Sequence, residues 1–237
     1  MKLLILFLSS AKLGKAALSI GSMLLTIWVH STIYGWPFAA GFVGMILIHE
    51  MGHYVAARQR GLDVGLPAFI PFVGAWINLR EQPHDSETEA YVAYAGPFIG
   101  TLGAFAAYFY GRSSGSDLWM AISYSGFLIN LFNLIPVSPL DGGRITQVLS
   151  PRIWFVGLPM LVALFFYMPS PMIILIGIMA LPSLRAAWYY DASSLEAVAY
   201  RSIPATTRFE YAVLYLGLAA VLTLMTYHVY EGLLHRG

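Results

Sequence analysis

The sequence predicts an all-α polytopic membrane protein of about six or seven transmembrane helices, with a small membrane-associated β-hairpin after the second of them. Three observations carry this. Of the 237 residues 58% are hydrophobic and only 11% charged, and mean hydropathy is +0.69, values that water-soluble domains of this length rarely reach. Apolar runs recur near 16–35, 38–57, 90–110, 118–138, 153–168, 172–190 and 209–230, and a spanning helix needs about 20 such residues. The segment G-L-D-V-G-L-P-A-F-I-P-F-V-G-A-W-I-N-L-R-E is too apolar for a solvated loop, and its Val, Ile, Pro and Gly suit a strand pair at the interface.

The elements follow in chain order. The start, M-K-L-L-I-L-F-L-S-S-A-K, has the flavour of a signal peptide, but its apolar core is short and Lys12 and Lys15 follow at once. It reads as an interfacial lead-in that stays on the protein. G-W-P separates the first two runs, and the acid-rich Q-P-H-D-S-E-T-E leads into the third, with carboxylates near a helix amino end. R-S-S-G-S-D precedes the fourth run, which ends in N-L-I-P-V-S-P-L-D-G-G-R. There the prolines break the helix, and Gly142 and Gly143 are expected to turn the backbone sharply. Runs five and six are short for a bilayer, and M-P-S-P between them allows a tight hairpin or a broken pair of half-spans. D-A-S-S-L-E-A-V-A-Y-R suggests a short amphipathic helix on the cytosolic surface. Trp28, Trp36, Trp119, Trp154 and Trp188 fall near run boundaries and read as interface anchors. Residues 1–237 are expected to form one transmembrane domain, with a core over about 36–145 and carboxy-terminal helices over 152–237.

Charge sets orientation and excludes some partners. A net charge of +1 with singly scattered Lys and Arg argues against nucleic acid, and the absence of cysteine excludes disulfides and thiolate metal sites. With the amino terminus in the cytosol, eleven of the 13 basic residues fall inside, and only Arg112 and Arg236 outside. The expectation is a multi-pass protein of the bacterial inner membrane with a cytosolic amino terminus. His49 then lies nine residues before Arg58, about 13 Å from the cytosolic boundary and inside the membrane slab.

H-E-M-G-H at 49–53 is therefore a cluster of ionisable groups in lipid, each carrying an insertion penalty of about 2.5–3.5 kcal/mol for a charged group, and such groups are functional by default. On a helix, residues i and i+4 share a face, so His49 and His53 can converge on one Zn2+ ion. Glu50, one step round, can reach a water on that ion as general base. A centre that keeps one position for water takes three protein ligands, and the candidate third is Asp141, at the cytosolic end of the fourth run. The residues alone describe a zinc hydrolase. His30, His84, His228 and His235 read as satisfied core or surface groups, and Asn130 as a helix–helix hydrogen bond or a partner to Asn133.

H-E-M-G-H at 49–53, N-L-I-P-V-S-P-L-D-G-G at 133–143 and A-G-P-F-I-G at 95–100 together resemble the site-2 protease family of intramembrane zinc metalloproteases, over roughly residues 36–145. The resemblance implies His49, His53 and Asp141 as ligands of one zinc ion and Glu50 as catalytic base. It also implies that Asn133 assists near the zinc water or the substrate carbonyl. Where many members carry Asn, this chain has Gly100. The 62–80 segment is implied to be the sheet on which a transmembrane protein substrate is laid as an added strand, at Ala75, Ile77 and Leu79. Physics points the same way, because an unwound substrate in lipid exposes backbone groups that a strand edge can pair. The alternatives are a membrane metal-ion transporter, which needs ligand groups at more than one depth, and an inactive scaffold for transmembrane partners, against which Glu50 argues. No PDZ-sized regulatory module of about 80–100 residues fits within the chain, so substrate selection is expected to use the membrane face, short loops or a partner.

Overall fold

The computed structural model describes residues 2–72, 74–76 and 83–235. Its first helix, α1 (Lys2–Tyr34), runs unbroken through the expected lead-in, since that stretch holds no proline and offers the helix no stop signal. At Gly35 the backbone turns with φ +80°, a conformation that an L side chain rarely takes, and Pro37 then starts α2 (Trp36–Gln59). Two short antiparallel strands follow, β1 (Ala68–Ile70) and β2 (Gly74–Trp76), with Phe69 opposite Ala75. Of the expected substrate strand, Ala75 lies in β2, while Ile77 and Leu79 fall outside the described residues.

The acidic lead-in caps α3 (Ser86–Ser114) as its composition demands. Asp85 accepts from the Thr88 backbone N–H at 2.7 Å, and Glu87 and Glu89 occupy the first turn. Gly115, left-handed at φ 68°, closes α3 and lets the chain enter α4 (Asp117–Asn133) under a Ser116 cap. A compact loop over 134–140 then leads into the short α5 (Asp141–Thr146). After a 3-10 turn at Pro151–Ile153 come α6 (Trp154–Tyr167), α7 (Pro171–Trp188), α8 (Leu195–Tyr200) and α9 (Ala205–Leu234). M-P-S-P forms the tight hairpin: α6 and α7 pack on each other through Leu161, Ile173 and Ile176.

Five helices are long and apolar enough to cross a membrane, namely α1 over 16–34, α2, α3, α7 and α9. α4, at 17 residues, and α6, at 14, are shorter. α2, α3 and α4 pack as a three-helix unit, against which α9 lies along α4 and the sheet lies between α1 and α2. Close approach rather than backbone freedom explains Gly52 in this unit. A Cβ on Gly52 would stand 2.4 Å from the Ala95 carbonyl oxygen, so only glycine lets α2 meet α3 there. Gly142 and Gly143 are likewise not turn residues. Both sit in α5 outside the positive-φ set, and a Cβ on either would strike the 134–138 backbone at 2.2–2.3 Å.

Gly52→Ala is expected to destabilise the fold by about 1–3 kcal/mol through overpacking, seen as a lower denaturation temperature in detergent. Gly44→Ala, where nothing lies within 4 Å of the added Cβ, should not lower it. Equal melting of the two variants contradicts the close α2–α3 contact.

Candidate metal centre

α2 carries His49 and His53 one turn apart, and each ring is fixed through its Nδ1. His53 Nδ1–H donates to the Val92 carbonyl of α3 at 2.8 Å, and His49 Nδ1–H to the Asn130 Oδ1 of α4 at 2.7 Å. Asn130 is itself oriented, since its Nδ2 donates to the Gly126 carbonyl at 2.7 Å. Both acceptors are oxygens, so each imidazole is protonated at Nδ1 and presents a bare Nε2 lone pair. The two Nε2 atoms stand 3.1 Å apart, and Asp141 Oδ2 lies 3.1 Å from that of His49 and 3.2 Å from that of His53. All three residues are buried.

Three acceptors facing one another in an apolar interior repel, and no protein donor relieves them: Asp141 Oδ2 is buried without a hydrogen-bond partner. A cation at their centre removes the conflict. Tetrahedral ligands held about 2.0–2.1 Å from an ion lie about 3.3–3.4 Å from one another, close to the triangle of 3.1–3.2 Å found here. Two imidazoles and a carboxylate are the donor set of an open zinc-type centre, so the residues fit such an ion. Glu50, 6% exposed, makes no hydrogen bond or ion pair among the described residues. Its carboxylate lies within electrostatic range of His49, His53 and Asp141. Glu50 is thus a buried carboxylate beside the cluster.

Small residues on α3 make room for this arrangement. A Cβ on Gly96 would meet His53 Nε2 at 2.2 Å, and one on Gly100 would meet Asn130 Oδ1 at 2.3 Å. A-G-P-F-I-G therefore presents two glycines, one turn apart, to a ligand and to the amide that orients the other ligand. A larger residue at position 100 would occupy the volume that Asn130 fills.

Asn133, half-buried, donates from Nδ2 to the Ile129 carbonyl at 3.0 Å, whereas Asn130, one turn earlier, touches the histidine. The sequence signal for Asn130 is a buried amide in an apolar helix, which demands partners. Three of the other histidines are engaged elsewhere. His30 bonds the Thr26 carbonyl between Phe42 and Phe72, His228 the Tyr108 hydroxyl, and His235 lies 3.7 Å from Glu231. A polar hub at Glu89 escaped sequence reading. Its carboxylate accepts from Arg144 Nε at 3.3 Å, from Gln147 Nε2, and from the Tyr200 hydroxyl at 2.5 Å. Burial, and then the Glu89 charge, push the Tyr200 phenol above its ordinary range.

Apolar helices around two histidines and an aspartate define an integral membrane protein with a three-residue metal-ligating centre. Residues 37–117 match the model of Peptidase family M50, in line with the resemblance to the site-2 proteases. Among known proteins it is 26% identical, over 158 residues, to a probable chloroplastic zinc metalloprotease of Arabidopsis thaliana, covering 47% of this chain and 29% of that protein. It is 27% identical, over 133 residues, to a zinc metalloprotease of Methanocaldococcus jannaschii, covering 54% of this chain and 38% of the relative. The chain thus spans well under half the length of these two relatives. The solved structure of a site-2 protease from Methanocaldococcus jannaschii is similar at a TM-score of 0.48 and 18% identity, over 73% of this chain and 89% of that one. Asp141 lies beyond the family-matched segment, so its place in the centre rests on the distances above.

Asn130→Ala leaves the His49 Nδ1–H without its acceptor and is expected to weaken divalent transition-metal binding by about 10–100-fold, measured by metal titration of purified protein. Asn133→Ala is expected to leave that affinity unchanged. The reverse ranking would show that the other amide orients the ligand.

Proposed function

We propose that the chain is a zinc metalloprotease that hydrolyses a peptide bond in or next to a transmembrane segment of a membrane protein. The observation that carries this reading is the convergence of His49 Nε2, His53 Nε2 and Asp141 Oδ2 to within 3.2 Å of one another, with Glu50 buried beside them. His49, His53 and Asp141 hold the ion. When bound, zinc supplies Lewis-acid polarisation of the scissile carbonyl and of a water molecule.

The remaining chemistry belongs to the chain. Glu50 takes a proton from the attacking water and hands it to the leaving amide nitrogen, so one water is consumed and one C–N bond breaks. Asn133, one turn beyond Asn130, is assigned to the neighbourhood of the substrate carbonyl. Burial of the cluster excludes bulk water, which strengthens each of these electrostatic contacts. Among the described residues, the one converging group of three His, Asp or Glu side chains is this one, which supports hydrolysis over a transit path with ligands at several depths.

The sheet supplies the place for the substrate backbone. β1 is tied on one side to β2, and on the other to α1, where Ser22 Oγ accepts from the Phe69 N–H at 3.2 Å and Ser19 Oγ donates to the Pro67 carbonyl at 2.6 Å. The outer edge of β2, which packs against the histidine-bearing α2, is the edge left for an added strand. In this reading the chain sits in the bacterial inner membrane with its amino terminus in the cytosol, and the bilayer delivers the substrate laterally.

Reconstituted with single-span proteins, Glu50→Gln is expected to lose cleavage by at least about a hundredfold while retaining zinc measured by atomic absorption, and stripping zinc with a chelator should abolish cleavage reversibly. Zinc-bound, metal-dependent protein with undiminished turnover in Glu50→Gln would remove the base assignment. Ala75→Pro deletes an N–H from β2 and is expected to slow cleavage without loss of zinc. An unchanged rate would count against strand addition at this residue.

A further inference from the structure

The ends of three apolar helices meet at a feature that the hydrolytic reading leaves unused. Arg152 lies in the 3-10 turn that opens α6, Tyr190 two residues past the end of α7, and Arg208 in the first turn of α9. Together with Arg201, at the end of α8, they line a cavity of about 410 Å3, within the range of about 300–1,000 Å3 typical of ligand sites. Meeting at helix ends puts the cavity at the level of the membrane–water boundary. The neighbouring Trp188 and Tyr189, 72% and 75% exposed, are the amphipathic rings expected at headgroup depth.

Three arginines line the cavity, and none of the described residues lining it is acidic. Asp191, next to the lining residue Tyr190, is turned into its own loop, accepting from the Ser193 N–H at 2.9 Å and the Ser193 hydroxyl at 2.7 Å. Among the described residues none of the three arginines has an ion-pair partner. Arg201 donates to the Gln147 carbonyl at 2.6 Å and covers the Tyr190 ring at 4.8 Å, and Arg208 donates to the Arg201 carbonyl at 3.1 Å. These contacts fix two of the guanidinium groups without neutralising them. Burial opposes the Arg201 charge and pulls its pKa below the ordinary guanidinium range, so an anion brought to it relieves a real penalty. Like charges gathered at a membrane rim without a direct ion pair among the described residues call for a multivalent oxyanion, and guanidinium forks match the oxygens of a phosphate.

We propose that this cavity binds a phosphate group, and that the bilayer supplies it as the headgroup phosphodiester of an anionic phospholipid. Basic pockets between helices on the cytoplasmic side take such headgroups, and the distribution of basic residues puts this rim on that side. Arg201 also ties the cavity to the metal centre, since the Gln147 whose carbonyl it holds caps the helix that begins with Asp141. An occupied cavity therefore braces the segment that positions a ligand.

The test uses the full chain and needs no catalysis. Protein in nanodiscs containing phosphatidylglycerol or only phosphatidylcholine is compared by native mass spectrometry for retained lipid, and detergent-solubilised protein is titrated with inorganic phosphate. Wild type is expected to retain phosphatidylglycerol over phosphatidylcholine, and Arg152→Gln with Arg208→Gln to weaken that retention by about thirtyfold, each basic residue contributing roughly a fivefold factor. Arg152 is exposed and its side chain donates no hydrogen bond among the described residues, so Arg152→Gln alone keeps the fold and should show about a fivefold loss. Arg112→Gln, elsewhere in the fold, should change nothing. Saturable binding of inorganic phosphate, lost in the same variants and without preference for phosphatidylglycerol, keeps the phosphate site and moves its source to solution. Retention of phosphatidylglycerol by Arg152→Gln and the double variant at the wild-type level, with no phosphate binding, overturns the proposal.

Discussion

Three lone-pair-bearing atoms held within 3.2 Å of one another inside an apolar bundle are the constraint on which the rest of this molecule depends. Left to themselves such atoms separate or find donors. They do neither here because the Nδ1 atoms of both histidines are already committed and Asp141 Oδ2 is buried without a donor. The two Nδ1–H groups are spent on Val92 and Asn130, and spending them leaves Nε2 no proton to offer. The imidazole tautomers, and with them the metal-ligating character of the site, are thus set by oxygens on α3 and α4.

The unusual parts of the fold follow from bringing a third ligand to that point. A fourth helix of full spanning length would carry the chain past the depth of the histidines. α4 instead stops at Asn133, and the loop over 134–140 turns back so that α5 can begin with Asp141 against α2. Irregular backbone at this depth must have its carbonyls paired. The structure supplies donors from outside the core: the Tyr215 hydroxyl reaches the Leu134 carbonyl at 2.6 Å, and the Trp154 indole N–H the Gly143 carbonyl at 2.8 Å. α9 and α6 therefore do more than fill lipid-facing volume. Each contributes one polar atom to the backbone at the helix break or just beyond it.

How much of this was legible in the sequence depends on whether a residue acts through local pattern or through tertiary contact. His49, Glu50 and His53 lie on one helix, so their convergence followed from the 3.6-residue period. The seven apolar runs each appear as a helix, five of them long and apolar enough to span, and Asp85, Glu87 and Glu89 cap and charge the start of α3 as their positions required. Asp141 was reachable because proline and glycine signals announced a helix break. What could not be read was which backbone each glycine faces. Gly142 and Gly143 looked like turn residues, and instead they permit α5 to lie on the 134–138 backbone. The choice between Asn130 and Asn133 was equally hidden: both share a helix, three residues apart, and only the rotation of α4 against α2 decides which amide meets His49. The Glu89 hub joins residues 55, 58 and 111 positions apart in sequence, a separation at which no local pattern survives.

α5 is where the two scales meet. Its first residue supplies the carboxylate of the centre, while Arg144 and its cap Gln147 are held by Glu89, and Arg201 holds the Gln147 carbonyl. Seven residues at 1.5 Å each span only about 10 Å, and a helix that short has no length over which to bend. A displacement imposed at the Gln147 end is therefore delivered almost whole to Asp141. Ligand atoms that must lie within a few tenths of an ångström of their places are thus anchored through polar contacts at the rim, where α8 and the start of α9 pack. In this molecule the charged periphery is part of the positioning of the buried site, and its separation in sequence from H-E-M-G-H hides a connection that the fold makes direct.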